Sequence, residues 1–228
     1  MSKLDPKHVT ITIGENTRVS GLLLVPPKAS ACYVLAHGAG AGMTHPFLAT
    51  VAAELYARNI ATLRYQFPYM EAKSKRPDAP KLAQTTVRAA VEEAARLTPK
   101  LPLLAGGKSF GGRMTSQAQA GEPLPNVRAL VFLGFPLHAA GSPSRERGDH
   151  LADIRIPMLF LQGTRDSLAD LSQLKPLIAS LGRRATLKLF ENADHSFHVP
   201  AKTGRKDSEI MAEMMDDFSA FAAKVLSK

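Results

Sequence analysis

Apolar residues along the chain fall into two alternating kinds of run. Short and nearly continuous apolar runs, such as residues 31–38 ("ACYVLAHG"), are typical of strands buried on both faces of a sheet. Longer segments carry apolar residues three and four apart, as residues 81–97 do, which is typical of helices with one buried face. This alternation predicts a mostly parallel sheet with helices on both faces.

The pattern contains eight strand candidates, of which the first two read as an antiparallel hairpin. They are residues 8–14, 17–26, 31–38, 60–67, 101–107, 127–136, 156–163 and 185–193. The helix candidates between and after them are residues 45–59, 81–97, 113–121, 170–182 and 207–228. Because no linker, repeat or low-complexity tract interrupts this order, we expect a single α/β domain over residues 1–228, with one eight-stranded sheet.

Two of the helices show clear apolar stripes, and two polar segments read as loops. The stripes are Leu82, Val87, Ala90, Val91 and Ala94 in the second helix, and Ile210, Met214, Phe218, Phe221 and Val225 in the last. The predicted loops are residues 68–80 and 138–150, which proline and glycine break. Pro176 is expected near the first turn of its helix, where the missing N–H does no harm.

Composition narrows the class of protein without naming a function. An apolar content of 45% and a charged content of 21% are those of an ordinary globular protein. The single cysteine, Cys32, excludes an internal disulfide framework and a cysteine-based zinc cluster. The first ten residues lack the apolar core of a secretory signal, and no apolar run reaches a membrane span of about 18 residues. These features predict a cytoplasmic protein without membrane association.

The formal net charge of +9 does not by itself indicate nucleic-acid binding. The basic residues are scattered, and the densest group, residues 71–81, also contains acidic residues. The chain shows no nucleic-acid-binding module and has few aromatic residues on which bases could stack. A generally basic surface is therefore the favoured interpretation, with no nucleic-acid partner expected.

The stretch "AGGKSFGGRM" (105–114) allows two kinds of chemistry. A phosphate-binding loop needs G-x-x-x-x-G-K-[ST], but Pro102 stands where its first glycine should be, inside a predicted strand. The alternative, G-x-S-x-G between a strand and a helix, presents a serine nucleophile on a tight turn. Gly107 and Gly111 flank Ser109 at the required spacing, and Gly112 would let the helix pack closely. The sequence thus favours acyl transfer at Ser109.

A serine nucleophile needs a base, and the base needs an orienting acid. Asp166 follows the penultimate strand and His195 follows the last, so both would reach the same sheet edge as Ser109. Asp166 could instead cap the next helix. The rival acids are Asp170, Asp153 and Asp149, and the rival histidines are His198, His150 and His138. Asp194 is expected to be structural.

The developing oxyanion needs backbone N–H donors. The N–H of Phe110, directly after the nucleophile, is one candidate, and the glycine-rich loop "AHGAGAGMTHP" (36–46) should supply the other. We favour Ala39 within it, with Gly40 second. This loop lacks the G-x-G-x-x-G spacing of a dinucleotide site, and His37 is expected to be a structural hydrogen-bonding residue.

These motifs together resemble the α/β-hydrolase superfamily over nearly the full chain. The segments "LAHGAGAGMTHP", "LRYQFPYME", "GGKSFGGRM", "LQGTRD" and "ADHSF" are similar to its small dienelactone-hydrolase-like branch, which also holds testis-expressed hydrolase-like proteins and a related nuclear scaffold subunit. The resemblance implies catalytic roles for Ser109, Asp166 and His195. Dienelactone hydrolases proper carry a cysteine as the nucleophile. Because this chain has Ser109 at that position, the resemblance does not extend to their dienelactone substrate.

The resulting expectation is a serine hydrolase that cleaves small carboxylic esters without cofactor or metal. Only residues 137–154 separate two strands where many relatives insert a cap, so we expect an open pocket. Its predicted wall is Met43, Tyr69, Met70 and His138; Lys108, beside the nucleophile, could attract an anion or simply be packed. A non-catalytic binding module, or a thioesterase or peptidase using the same residues, remains an alternative. The sequence does not fix the oligomeric state.

Overall fold

A computed structural model describes residues 4–74 and 76–227 as alternating strands and helices around one sheet. The strands are β1 (Lys7–Ile13), β2 (Thr17–Leu24), β3 (Ala31–Ala36), β4 (Ile60–Tyr65), β5 (Leu103–Lys108), β6 (Val127–Leu133), β7 (Met158–Gly163) and β8 (Ala185–Phe190). The helices are α1 (Pro46–Ala57), α2 (Pro68–Glu71), α3 (Pro80–Leu97), α4 (Phe110–Gly121), α5 (Leu171–Ser180) and α6 (Asp207–Leu226). Short 3₁₀ turns span Glu146–Asp153, Gly182–Arg184 and Ala201–Thr203.

All eight strands belong to one sheet in the order β1-β2-β4-β3-β5-β6-β7-β8. β1 pairs antiparallel with β2, β2 pairs antiparallel with β4, and every other pairing is parallel. The predicted α/β fold with a mostly parallel eight-stranded sheet is confirmed. Because β5, β7 and β8 run in the same direction, the loops after them open at the same edge of the sheet.

The central strands of the sheet, β3 to β7, are largely buried on both faces, as their continuous apolar runs predict, whereas the edge strands β1 and β8 are partly exposed. In β3, Cys32 and Val34 contribute to the core under α3, α4 and α5, whereas Tyr33 and Leu35 contribute to the core under α1 and α6. The strands from β3 to β7 therefore supply side chains to two separate apolar clusters by the twofold alternation of a strand, whereas β1 and β2 contribute to the first cluster alone. This double burial makes the sheet a rigid base for the loops at its carboxyl edge.

Several local predictions need correction. Leu82 is 39% exposed, because the buried face of α3 is turned toward Ala83 and Thr86 instead. Pro176 lies in the interior of α5 rather than in its first turn. The segment predicted as a loop over residues 68–80, of which residue 75 is outside the described part, contains α2, and the loop over 138–150 runs into the Glu146–Asp153 turn.

The connection between β6 and β7 contains no cap domain. Residues 134–157, all of them described, hold one 3₁₀ turn and otherwise irregular chain. The expected fold without a large cap is confirmed, and the carboxyl edge of the sheet is open to solvent on this side. None of the helices in residues 4–74 and 76–227 combines the length and the apolar character needed to cross a bilayer.

Candidate active site

The turn between β5 and α4 holds Ser109 in a strained backbone conformation. Its φ of 50° and ψ of −116° are unusual for a residue with a side chain, and its N–H donates to Leu133 O at 3.3 Å. Ser109 is the residue immediately before α4, so the amino end of that helix lies directly behind its hydroxyl. The turn therefore presents Oγ at the carboxyl edge of the sheet, beside a positive helix end.

Two glycines make this turn possible because the chain on β3 lies against them. A Cβ on Gly107 would stand 2.2 Å from Ala36 O, and one on Gly111 would stand 2.5 Å from His37 O. A Cβ on Gly112 would likewise meet Gly107 O at 2.8 Å. The spacing of small residues seen in the sequence is thus a requirement of backbone packing around the serine.

The structure brings the three predicted catalytic side chains together. His195 Nε2 lies 2.9 Å from Ser109 Oγ, and His195 Nδ1 lies 2.7 Å from Asp166 Oδ2. The Asp166 side chain is fully buried, whereas the imidazole keeps about a quarter of its surface exposed. With Nδ1–H donating to the carboxylate, Nε2 is left as the acceptor that faces the serine hydroxyl.

A residue that sequence reasoning missed holds the carboxylate in place. Gln162, fully buried near the end of β7, donates from Nε2 to Asp166 Oδ2 and accepts from the Phe135 N–H at 2.9 Å. Asp166 Oδ1 accepts in addition from the Leu168 N–H at 2.8 Å. Gln162 lies in the segment "LQGTRD", but only its amide contacts show that it links the chain just after β6 to the carboxylate.

The rival acids have other places in the fold. Asp170 caps α5 by accepting from the Ser172 N–H at 2.7 Å, which is the capping role considered for Asp166. Asp149 and Asp153 are exposed. Asp194 accepts from the backbone N–H groups of Ser196 and His198, consistent with a structural role in the loop that carries His195.

The rival histidines also lie away from Ser109. His198 is on the surface and pairs with Asp207 at 2.8 Å, which raises its pKa. His150 hydrogen-bonds Ser116 at 2.7 Å in the middle of α4. His138 is buried and accepts from the Asp170 N–H at 2.8 Å.

His37 fixes the glycine-rich loop after β3. Its Nδ1 lies 2.7 Å from Gly38 O and its Nε2 accepts from the Phe67 N–H at 3.1 Å, so the neutral ring uses both nitrogens. Burial lowers the pKa of His37 to about 4, although the bond to Gly38 acts in the opposite direction. His37 is thus a structural link between the loop and the end of β4.

The three predicted oxyanion donors differ in their present partners. The Gly40 N–H already donates to the Tyr69 hydroxyl at 2.9 Å. Within the described ranges, no protein acceptor is found for the N–H of Ala39 or of Phe110. Ala39 lines the same cavity as Ser109, and Phe110 directly follows Ser109 in the chain. The free N–H groups of Ala39 and Phe110 are therefore the better candidates, and the N–H of Gly40 is a weaker one.

A cavity of about 410 Å³ lies over Ser109 and is open to solvent. Its lining residues come from the loop after β3, the start of α1, and the loops after β5, β7 and β8. They are Gly38, Ala39, Ala41, His45, Phe47, Leu48, Lys108, Ser109, Leu168, His195 and Ser196. Its size falls within the range of small-molecule sites, and its walls are mainly apolar with a few polar groups near the serine.

The prediction that Met43, Tyr69, Met70 and His138 form the pocket wall is corrected, because none of them lines this cavity. Met43 and Tyr69 are buried where the loop after β3 meets Gln66 and α2, and Met70 packs against the core there. His138 is turned toward the start of α5. The side chains of α2 lie beneath the loop after β3. The cavity lies on the opposite side of that loop, next to the start of α1.

The comparisons with known proteins agree with this geometry. A family model described as "Alpha/beta hydrolase domain" matches residues 29–223. The chain belongs to the α/β-hydrolase family. The resemblance drawn from the sequence motifs is confirmed at this level, and the protein is a hydrolase by family.

Solved structures of this family have the same fold at low sequence identity. A dienelactone hydrolase from Anabaena variabilis is 22% identical, with a TM-score of 0.74 over 93% of this chain and 96% of its own. A Xanthomonas campestris protein, described as an α/β serine hydrolase without lid, is 20% identical, with a TM-score of 0.70 over 92% and 91%. The esterase domain of a Rhodothermus marinus protein is 18% identical, with a TM-score of 0.74 over 97% and 99%. The expected dienelactone-hydrolase-like fold is confirmed.

Proposed function

We propose that this α/β hydrolase is a serine esterase that cleaves small carboxylic esters through an acyl-enzyme. The observation that carries the proposal is the continuous hydrogen-bonded chain from Ser109 through His195 to the buried Asp166, at 2.9 and 2.7 Å. The open cavity above the serine gives a small ester access to it. Structural neighbours that include an esterase domain and a lidless serine hydrolase support the same reaction class.

Acylation begins with proton transfer from Ser109 Oγ to His195 Nε2 as the oxygen attacks the ester carbonyl carbon. Asp166 accepts from Nδ1–H and stabilises the imidazolium that forms. The tetrahedral intermediate collapses when the carbon–oxygen bond to the alcohol breaks, and the proton on Nε2 passes to the departing alkoxide. The products of this half-reaction are the free alcohol and an acyl ester on Ser109.

Deacylation repeats the same steps with water. His195 Nε2 takes a proton from the attacking water, and the second tetrahedral intermediate expels Ser109 Oγ, which regains its proton from the imidazolium. The carboxylic acid leaves through the open cavity. In both half-reactions the oxyanion accepts from the backbone N–H groups of Ala39 and Phe110, which the fold already holds in place.

The proposal is tested with a chromogenic short-chain ester and a fluorophosphonate probe. We expect Ser109→Ala to abolish probe labelling and to lower kcat by at least about 1000-fold, because no other oxygen stands at the attacking position. Ser116→Ala is the matched control, since Ser116 lies in α4, the helix that directly follows Ser109, and also hydrogen-bonds a histidine. Full activity in the Ser109 variant would refute the assignment.

A substrate panel then separates esters from the other acyl substrates. Esters, thioesters and amides with the same acyl group, assayed side by side, should show the highest kcat/KM for the ester. A wild-type protein that reacts with none of them and with no serine-directed probe would favour a binding module that has kept only the fold.

A further inference from the structure

Lys108 occupies the variable position of the G-x-S-x-G turn, directly before the nucleophile, and its side chain reaches the loop of the catalytic histidine. Its ammonium Nζ donates a hydrogen bond to the backbone carbonyl of His195. The same Nζ lies over the rings of Phe47 and Phe197, 5.8 and 5.4 Å from their centroids. Lys108 is therefore held in one place by an acceptor and two aromatic faces.

A glycine at the end of β6 leaves room for this contact. Gly134 has a φ of +71°, and a Cβ on it would stand 2.9 Å from Lys108 Nζ and 3.5 Å from His195 Cε1. The space around the ammonium is thus shared with the imidazole itself. A side chain at this position would disturb both groups at once.

The role of Lys108 is not explained by ion pairing. No carboxylate oxygen among the described residues lies within 4.0 Å of its Nζ. The charged groups whose fields act on it are Asp166 and Asp194, and both favour the ammonium form. Burial away from water is the larger effect and lowers the pKa of Lys108 to about 8.

We propose that Lys108 is a positioning residue, whose ammonium holds the His195 backbone so that the imidazole stays within hydrogen-bond reach of Ser109. The expected loss of activity rests on the proposed esterase function. The contact by which Lys108 positions His195 does not depend on which substrate is cleaved. His195 stands on a loop after β8, and its ring is partly exposed. A charge-assisted hydrogen bond from the strand that carries the nucleophile ties that loop directly to Ser109.

The first test replaces Lys108 with methionine, which keeps the length and the apolar stem but removes the donor. We expect Lys108→Met to lower kcat for a short ester by about 10- to 100-fold, a larger factor than any change in KM. A misplaced base acts on the transition state, whereas the loss of one cavity-lining ammonium has little effect on the binding of a neutral ester. Lys28→Met is the control, since Lys28 is an exposed lysine. Circular dichroism and melting curves establish that both variants are folded.

The pH profile provides a readout that a general loss of stability would not change. As pH rises through about 8, the wild-type ammonium loses its charge and its bond to His195 weakens, so kcat/KM should fall on the alkaline side. The Lys108→Met profile should lack this alkaline limb. An unchanged limb in the variant, or a kcat within twofold of wild type, would overturn the proposal.

Crystal structures separate this proposal from the proposed function. In Lys108→Met the distance from His195 Nε2 to Ser109 Oγ should exceed hydrogen-bond range, compared with 2.9 Å in the native arrangement. An unmoved imidazole would overturn the positioning role whether or not esters are cleaved. A wild-type protein that fails to react with esters and probes would instead overturn the esterase assignment, and the crystallographic comparison would still decide the role of Lys108.

Discussion

The tightest constraint at the residue scale is the lack of space around the nucleophile turn. The start of α4 lies directly against the carboxyl end of β3, so that a Cβ on Gly111 would meet His37 O at 2.5 Å and the Ala36 Cβ at 2.6 Å. The Ala36 and His37 atoms involved are backbone or Cβ atoms and cannot move aside as a long side chain could. A single methyl group here must therefore displace α4, and Ser109 with it.

Gly111→Ala is expected to destabilise the fold by about 3 kcal/mol or more, since it overpacks a site bounded by backbone. For a chain of this size the melting temperature should drop by roughly 6–12 °C. Gly121→Ala, at the other end of the same helix, is the matched control, because a Cβ there meets nothing within 4 Å. Differential scanning calorimetry of both variants makes the comparison, and equal melting temperatures would contradict the packing argument.

At the element scale, α6 shows how far an apolar stripe can be predicted. Spacing of three and four residues placed Ile210, Met214 and Phe218 correctly on the buried face. The predicted Phe221 is only partly buried, while Met211, Met215 and Ala222, outside the predicted stripe, are buried. The helix packs against both the sheet and α1, so its buried face is wider than one apolar stripe. The spacing of apolar residues in the sequence does not show that a helix contacts two elements at once.

Phe218→Ala tests the contact that fixes α6 on the sheet. Phe218 is fully buried and packs edge-to-face on Tyr33 of β3 with ring centroids 4.9 Å apart. We expect its loss to cost about 3–5 kcal/mol, from lost burial and from the cavity left behind. Phe221→Ala, one turn later and only partly buried, should cost about 1 kcal/mol. Urea denaturation gives both values, and a larger effect for Phe221 would place the main contact of α6 elsewhere.

At the scale of the whole molecule, the site is assembled from loops that share one sheet edge. The positions of Ser109, Asp166 and His195 could be predicted because each follows a strand, and parallel strands end together. The cavity could not be predicted, because its wall depends on how the loop after β3 turns into α1. The sequence offers no signal that Phe47 and Leu168 face the serine while Tyr69 turns beneath the loop. The contact from Lys108 to His195 is likewise visible only in three dimensions.

Two histidines, the buried His37 and the half-buried His150, make the stability of the whole fold sensitive to acid. Burial lowers the pKa of His37 to about 4, and burial together with the nearby Arg113 cation lowers the pKa of His150 to about 4, against the attraction of Asp149 and Asp153. Between pH 6.5 and 4 the unfolded chain therefore binds protons that the folded chain does not. Stability is fully present above pH 6.5 and is lost as pH falls toward 4. The molecule already carries a formal charge of +9 at pH 7, and added protons increase its self-repulsion.

The depressed pKa of His37 should cost about 2 kcal/mol of unfolding free energy between pH 7 and pH 5, and the half-exposed His150 should cost less. Between pH 7 and pH 5, the unfolding free energy of His37→Gln, measured by urea denaturation, should fall by about 2 kcal/mol less than that of wild type. The reason is that glutamine can donate and accept hydrogen bonds without titrating. His198→Gln is the control of opposite sign: its pairing with Asp207 raises its pKa, so removing it cannot relieve acid destabilisation. An identical pH dependence for His37→Gln and wild type would mean that the loop after β3 opens and hydrates His37 before the fold is lost.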